Sequence, residues 1–341
     1  MPKYLEVAEI LKSRVLHGDY LVSPMPGERK LAEEIGVSYM TARKALKHLV
    51  ETGVIAREED GKALPFSPEG LRGGYVFLAP AFVSMLTIRW QTALDRALSR
   101  AGRILRPVYF THWNDPAVTD ALSRFDLIFL LPKLEPPSEL LLRKLHECGK
   151  PVVVLETDWT DRGFFSILPT PVEAVTCLLE HLAERGDPVD CFNTQPLDEI
   201  VTGWFRMWEK FPVRGVMVND PVDFYEDTLE RAVRVASRLL QEHWRPKAVL
   251  CTTLTAAIGL SRVLCDFGMR VGRDVRLAAV NDVKWAAYLT PSITTLENAD
   301  LDLLIREALA MLRNDPGQVR CLKPARCLIQ YGESSRSGMR A

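Results

Sequence analysis

From about residue 75 the chain repeats one pattern: a short run that is apolar at almost every position, then a longer amphipathic stretch. Residues 127–131, 151–155 and 248–251 are the clearest runs. A strand that is apolar on both sides needs cover on both sides. That condition is met by a parallel sheet with helices packed on each face. The spacing predicts strands over 75–79, 104–110, 127–131, 151–155, 213–218, 248–251 and 275–280. It predicts helices over 87–101, 139–148, 224–243 and 255–267. About 260 residues of such alternation make two half-domains of ordinary size.

The first 66 residues follow another rule. Tyr4, Val7, Ala8, Leu11 and Val15 recur at helical spacing. A short second helix over 28–35 turns Leu31, Ala32 and Ile35 inward. Gly36 suits a left-handed residue just past a helix end. Ser38 suits the cap of a third helix over 39–52, with Ala42, Ala45, Leu46 and Leu49 inward. Two short strands, 54–57 and 63–66, flank the acidic turn Glu58, Glu59, Asp60, Gly61. Pro65, Pro68, Gly70, Gly73 and Gly74 crowd the boundary between the two regimes. The expected division is a reader domain over 1–66, a linker over 67–73, a two-lobed domain over 74–333 and a loose polar tail over 334–341.

Composition narrows the function. The net charge is −1, and residues 1–66 balance ten basic against ten acidic side chains. Any contact with nucleic acid must therefore come from a local patch. No run of about 18 apolar residues predicts a membrane span, and the acidic N-terminus does not read as a signal peptide. The seven cysteines are scattered and form no C-x-x-C pair, which fits free thiols in a cytoplasmic protein. The histidines are isolated, so neither a metal set nor a cofactor is expected. The motifs of serine hydrolases, P-loops, dinucleotide folds and zinc proteases are missing, and Asp158 with Asp161 reads as an acidic loop. An enzyme is not expected.

Helix, tight turn, helix and a two-stranded wing form a DNA-binding layout. On the third helix Tyr39, Arg43 and Lys47 follow one another at i+4, with Met40 and Lys44 beside them. Arg29 and Lys30 lie on the second helix. The blocks Pro26 to Ala32, Ile35 to Leu46 and Leu49 to Ile55 resemble, in order, the GntR family of winged-helix regulators. The resemblance implies DNA contacts from Arg29, Ser38, Thr41, Arg43 and the wing glycine Gly61. Tyr39 stands where that family usually has arginine, and Gly27 where it has serine.

Further along, Arg245-Pro246-Lys247-Ala248-Val249, Ala257-Ile258-Gly259, Gly268 to Val275 and Pro291 to Leu296 are similar to the second half of the LacI-type sensing module. That resemblance implies the periplasmic-binding-protein-like type I fold, whose ligands bind between two lobes beyond the carboxyl ends of the strands. On that geometry the candidate effector contacts are Phe82, Asp158, Trp159, Thr253, Asn281 and Trp285, with Asn219, Asp220 and Asp282 nearby. Trp113 is expected to pack in the core. Three positions depart from the family: Ile200 replaces an arginine, Thr253 stands at an asparagine-aspartate pair, and Asn281 replaces an aspartate. All three hold the sugar in the family. The expected function is a DNA-binding transcription regulator that acts as a homodimer on a palindromic double-stranded operator. Its affinity would respond to a small molecule, a carbohydrate or other, between the lobes. The alternative is a regulator whose C-terminal domain only dimerises.

Overall fold

The computed structural model describes residues 2–16, 19–20, 25–52, 54–57, 63–65, 74–81, 85–101, 103–222, 226–280 and 285–336. The expected wing tip with Gly61, the linker 67–73, Phe82 and Asn281 with Asp282 lie outside them.

The reader is α1 (Lys3–Leu16), α2 (Glu28–Ile35), α3 (Tyr39–Glu51) and the antiparallel pair β1 (Ile55–Arg57) and β2 (Ala63–Pro65). Its core is small: Val7, Leu11 and Val15 from α1 meet Leu31 from α2 and Ala45, Leu46 and Leu49 from α3. Gly36 ends α2 in the left-handed region, at φ 73°, a conformation that glycine adopts without a Cβ penalty. Ile104, from the following domain, also packs against this core.

The second domain runs β3 (Tyr75–Pro80), α4 (Met85–Arg100), β4 (Leu105–Phe110), α5 (Pro116–Arg124), β5 (Leu127–Leu130), α6 (Glu139–Glu147), β6 (Val152–Leu155) and β7 (Phe165–Ile167). It continues with α7 (Val175–Ala183), β8 (Val189–Asn193), α8 (Glu199–Glu209), β9 (Arg214–Asn219), α9 (Thr228–Gln241), β10 (Ala248–Cys251) and α10 (Leu254–Asp266). The last elements are β11 (Arg276–Ala279), β12 (Thr294–Leu296), α11 (Leu301–Asn314), β13 (Cys321–Leu322) and β14 (Ile329–Gln330).

Two six-stranded sheets result, in the orders β13-β7-β6-β5-β3-β4 and β14-β12-β11-β10-β8-β9. All pairings are parallel except β12 with β14. Alternation along each strand feeds two cores. In the first sheet Phe77, Phe129 and Val153 face α4 and α11, while Val76, Leu78, Ile128 and Val154 face α5 and α6. In the second, Val249, Cys251 and Leu277 face α9 and α10, and Cys191, Leu250 and Ala278 face α7 and α8. Burial on both faces accounts for the uniformly apolar runs.

The lobes are not contiguous in sequence. The chain passes between them after β7, after β12 and after β13, so the first sheet takes its outer strand from Cys321–Leu322 and the second from Ile329–Gln330. Two-residue strands leave no periodic signal.

The expected tail is also corrected. Ser334 and Ser335 are fully buried. The Leu277 amide donates to the Ser334 carbonyl at 2.9 Å, and the Ser334 hydroxyl donates to the Leu277 carbonyl at 2.6 Å. Ser335 Oγ lies 2.8 Å from Nε2 of buried His181 and 2.5 Å from the Thr294 hydroxyl. Polar composition suggested a loose end, but these side chains satisfy one another inside the second lobe. Residues 337–341 lie outside the described ones.

Candidate DNA-reading face and effector cleft

The geometry of the reading face begins at Ser38. Its hydroxyl accepts from the Thr41 amide at 3.2 Å, capping α3, and sits 2.9 Å from the Thr41 hydroxyl. Ser38 and Thr41 are thereby engaged with each other. Tyr39 and Met40, the first two residues of α3, stand 40% and 55% exposed. Arg43 and Lys44 follow on the same exposed face, one turn along. Lys47 is tied to Glu51 at 3.6 Å. Arg29 and Lys30 are exposed on α2. No ion pair engages Arg29, Lys30, Arg43 or Lys44 among the described residues. The overall charge balance thus conceals four exposed cations without an ion pair among the described residues, two on α2 and two on α3.

At the carboxyl ends of the strands the structure sorts the predicted effector residues differently from the sequence. Trp159 is 2% exposed and belongs to the core under α5 and α6, beside Phe164. It is a packing residue, set inward by its own amide, which donates to buried Ser166 at 2.9 Å. Trp113 stacks on Phe110 and donates its indole N–H to the Glu135 carbonyl at 2.8 Å. Asp158 accepts from the Thr160 amide and hydroxyl at 3.1 and 2.6 Å. Burial would raise its carboxyl, but Thr160, Cys321 and Lys323 outweigh that and hold it below the usual range. It clasps its own loop to the third crossing, and the Cys321 thiol is pushed up to about 12 by burial and this carboxylate. Thr253 caps α10, accepting from the Ala256 amide at 3.2 Å. Ile200 packs into the apolar layer of α7 and α8. Trp285 stands 54% exposed past β11, close in sequence to exposed Tyr288.

Other groups occupy these strand ends. Glu156, directly after β6, has φ 66° and accepts from the indole of fully buried Trp90 at 2.6 Å. Burial pushes its carboxyl up, Arg89 and Trp90 pull it down, and Asp198 pushes it up again. Asp198, in the other lobe, caps α8 by accepting from the Val201 amide at 2.7 Å, and burial raises it too. Buried Asn193 joins the ends of β8, β9 and β10. It donates to Asn219 at 2.9 Å and accepts from the Thr252 hydroxyl at 2.6 Å. Sequence reasoning missed Glu156, Asp198, Asn193 and Thr252. The signal that finds them is a polar residue at or just after the last residue of a strand, or at a helix cap facing that edge. Arg162 of the first lobe and Glu199 of the second meet at 3.1 Å and bridge the lobes. A cavity of about 440 Å³ lies between α4, at Arg89 and Thr92, and the second crossing, at Asn298 to Asp302.

A helix-turn-helix domain ahead of a two-lobed, doubly wound α/β domain is the architecture these elements define. Residues 3–62 match the family described as bacterial regulatory proteins, gntR family. Residues 193–319 match the periplasmic binding protein-like domain. The chain thus carries a GntR-type helix-turn-helix domain followed by a periplasmic-binding-protein-like domain. It is 22% identical over 208 residues to the probable HTH-type transcriptional repressor ExuR of Bacillus subtilis (strain 168), covering 57% of this chain and 59% of that protein. It is 40% identical over 58 residues to the HTH-type transcriptional repressor NagR of the same organism, covering 17% of this chain and 24% of that one. The chain therefore spans about three fifths or less of these relatives. Its fold is shared with the lac repressor dimer bound to operator and the anti-inducer ONPF, at a TM-score of 0.62 and 15% identity, covering 78% of this chain and 95% of that one.

Proposed function

We propose that this chain is a DNA-binding transcription regulator whose grip on an operator is set by a small molecule held between the lobes of its second domain. The observation that carries the reading is the turn of α3 where Arg43 and Lys44 are exposed and unpaired beside an equally exposed Tyr39 and Met40. Arginine reads guanine and lysine attracts phosphate. Arg29 and Lys30 supply further phosphate contacts. Both named relatives are repressors, and repression is the sign proposed here.

The effector site is built from Glu156, Asp198, Asn193, Asn219, Thr252 and Thr253, with Trp285 as its exposed aromatic. The cavity between α4 and the second crossing has the volume of a small-ligand site. None of these site residues lines that cavity, so the sensor reading rests on the polar groups gathered at the strand ends. The dimer is placed on the open edge of the first sheet. There β4 has no outer neighbour among the described residues, and Ile88 and Tyr109 stand exposed on α4 and β4, elements joined by a Tyr109–Gln91 hydrogen bond of 2.5 Å. Two readers related by a two-fold axis fit a palindromic operator in the cytoplasm.

The test is titration of the full chain with duplexes selected from a random pool at fixed salt, repeated with a panel of carbohydrates. Selected duplexes should bind far more tightly than scrambled ones, and one compound should shift both that affinity and the melting temperature. Equal binding to all duplexes sinks the regulator reading. No shift with any compound sinks the carbohydrate sensor.

A further inference from the structure

The start of α3 is unusual for a surface. Tyr39 and Met40 are adjacent, large and exposed, while the positions around them are polar or charged: Ser38, Thr41, Arg43 and Lys44. Neither side chain joins the reader's core, which is filled from the other face of α3 by Ala42, Ala45, Leu46 and Leu49. Ser38 and Thr41 are occupied with each other, and Lys47 with Glu51. The groups left to meet a partner at the tip of the helix are an apolar pair, then one arginine and one lysine.

On the reading above, on which this inference rests, the N-terminal residues of such a helix contact base edges in the major groove. The apolar feature that a base pair displays there is the C5 methyl of thymine. Phosphate and the other base edges offer charge and hydrogen bonds, which Met40 does not match. We infer that Met40, flanked by Tyr39, reads thymine methyl groups at the centre of each half-site, and that Arg43, one turn on, reads the neighbouring guanine. This would make the half-site thymine-bearing where an arginine at position 39 would favour guanine.

The unpaired cations argue for DNA as the occupant of this apolar patch. Arg43 and Lys44, one turn along α3, put positive charge beside it, and Arg29 and Lys30 stand exposed on α2 ahead of Glu33 and Glu34. Such cations complement the phosphates that flank a groove. A protein partner would need an acidic rim around an apolar knob, and its presence is one outcome of the experiment.

The experiment uses the full chain and duplexes selected from a random pool. Each thymine of the selected half-site is replaced in turn by deoxyuridine, which removes only the methyl group. At one or more positions the wild-type protein should bind the uracil duplex about fourfold more weakly, the value of burying one methyl-sized group. Met40→Ala should weaken binding to the thymine duplex and bind thymine and uracil duplexes alike at that position. Arg43→Ala should bind more weakly to both but keep the difference between them. Met40 is exposed, so its loss leaves the core intact, and the uracil series needs no variant. Equal wild-type affinity for thymine and uracil at every position overturns the inference, as does a Met40→Ala protein that still distinguishes them. If no sequence is enriched from the pool, the DNA-reading function itself fails, and a protein partner for the patch takes its place.

Discussion

Single residues decide both ends of this molecule. Arg43 is exposed, has no ion pair among the described residues and lies one turn from the tip of α3. Arg43→Ala should weaken operator binding by about 1–3 kcal/mol and relax the preference at one base pair. Lys44→Ala should instead weaken binding to every sequence alike and lower the salt slope by about 1. Affinity titrations at three salt concentrations separate the two. In the second domain, Glu156 keeps a carboxyl whose folded value burial has raised. A raised acid stabilises the fold only while protonated. Stability is therefore lost as the pH climbs from the ordinary glutamate range, about 4.3, through the higher folded value. Glu156→Gln keeps an oxygen for the Trp90 indole and removes the charge. Its melting temperature should exceed the wild type's at pH 7.5, and the gap should close toward pH 4. An unchanging gap across that range would mean that the carboxyl is not the source. Residue-level reading of the sequence was least successful here. Trp159 looked like a cleft aromatic because acids flank it in a loop, yet its ring belongs to the core. Glu156 went unnoticed because it looked like the end of an apolar strand.

At the level of elements the sequence was more informative, for a physical reason. Buried parallel strands such as β5, β6 and β10 must be apolar throughout, and reading helices must leave one face polar; both patterns survive in one dimension. The helices α2 and α3 and the strand β10 lie where periodicity and caps put them, to within a residue. The edge strands β13 and β14 are two residues each, and their partners are far away in sequence, so no local pattern marks them. Gly259 shows what such reading can add. It belongs to the Ala257-Ile258-Gly259 block, whose glycine has no evident role in one dimension. In the structure α10 crosses α9 there, and a Cβ on Gly259 would lie 2.6 Å from the Ala232 Cβ and 3.1 Å from the Leu229 carbonyl oxygen. Backbone atoms cannot step aside as a side chain can. Gly259→Ala should therefore lower the melting temperature, even though alanine favours a helix over glycine by about 1 kcal/mol. The overpacking cost, about 1–3 kcal/mol, is the larger effect.

The whole molecule is organised around contacts between parts. Ile104 touches the reader's core where the chain enters β4, and Arg162 reaches Glu199 across the lobes. An exposed pair of that kind contributes about 0.2–1 kcal/mol, enough to bias the lobes and too little to lock them. Arg162→Ala should accordingly leave the melting temperature within a degree or two. If the first-sheet edge mates with a second copy, sedimentation should return twice the 38.4 kDa of one chain. Ile88→Arg, which places a charge on that edge, should return the single mass with the fold intact by circular dichroism. The order of motifs leads one to expect a homodimer but not the residues of its edge or of the lobe contact, because these join residues that sequence keeps apart.

The interleaving of the lobes also bears on how the protein is made. A ribosome delivers the reader first, and every fully buried residue of its core lies within the opening fifth of the chain. Neither sensor sheet can finish until β13 and β14 emerge near the end, about 265 residues later. At translation rates of about 5–20 residues per second, that interval lasts on the order of ten to fifty seconds. Throughout it, each nascent chain carries a helix-turn-helix domain while both sheets of the second domain still lack an outer strand.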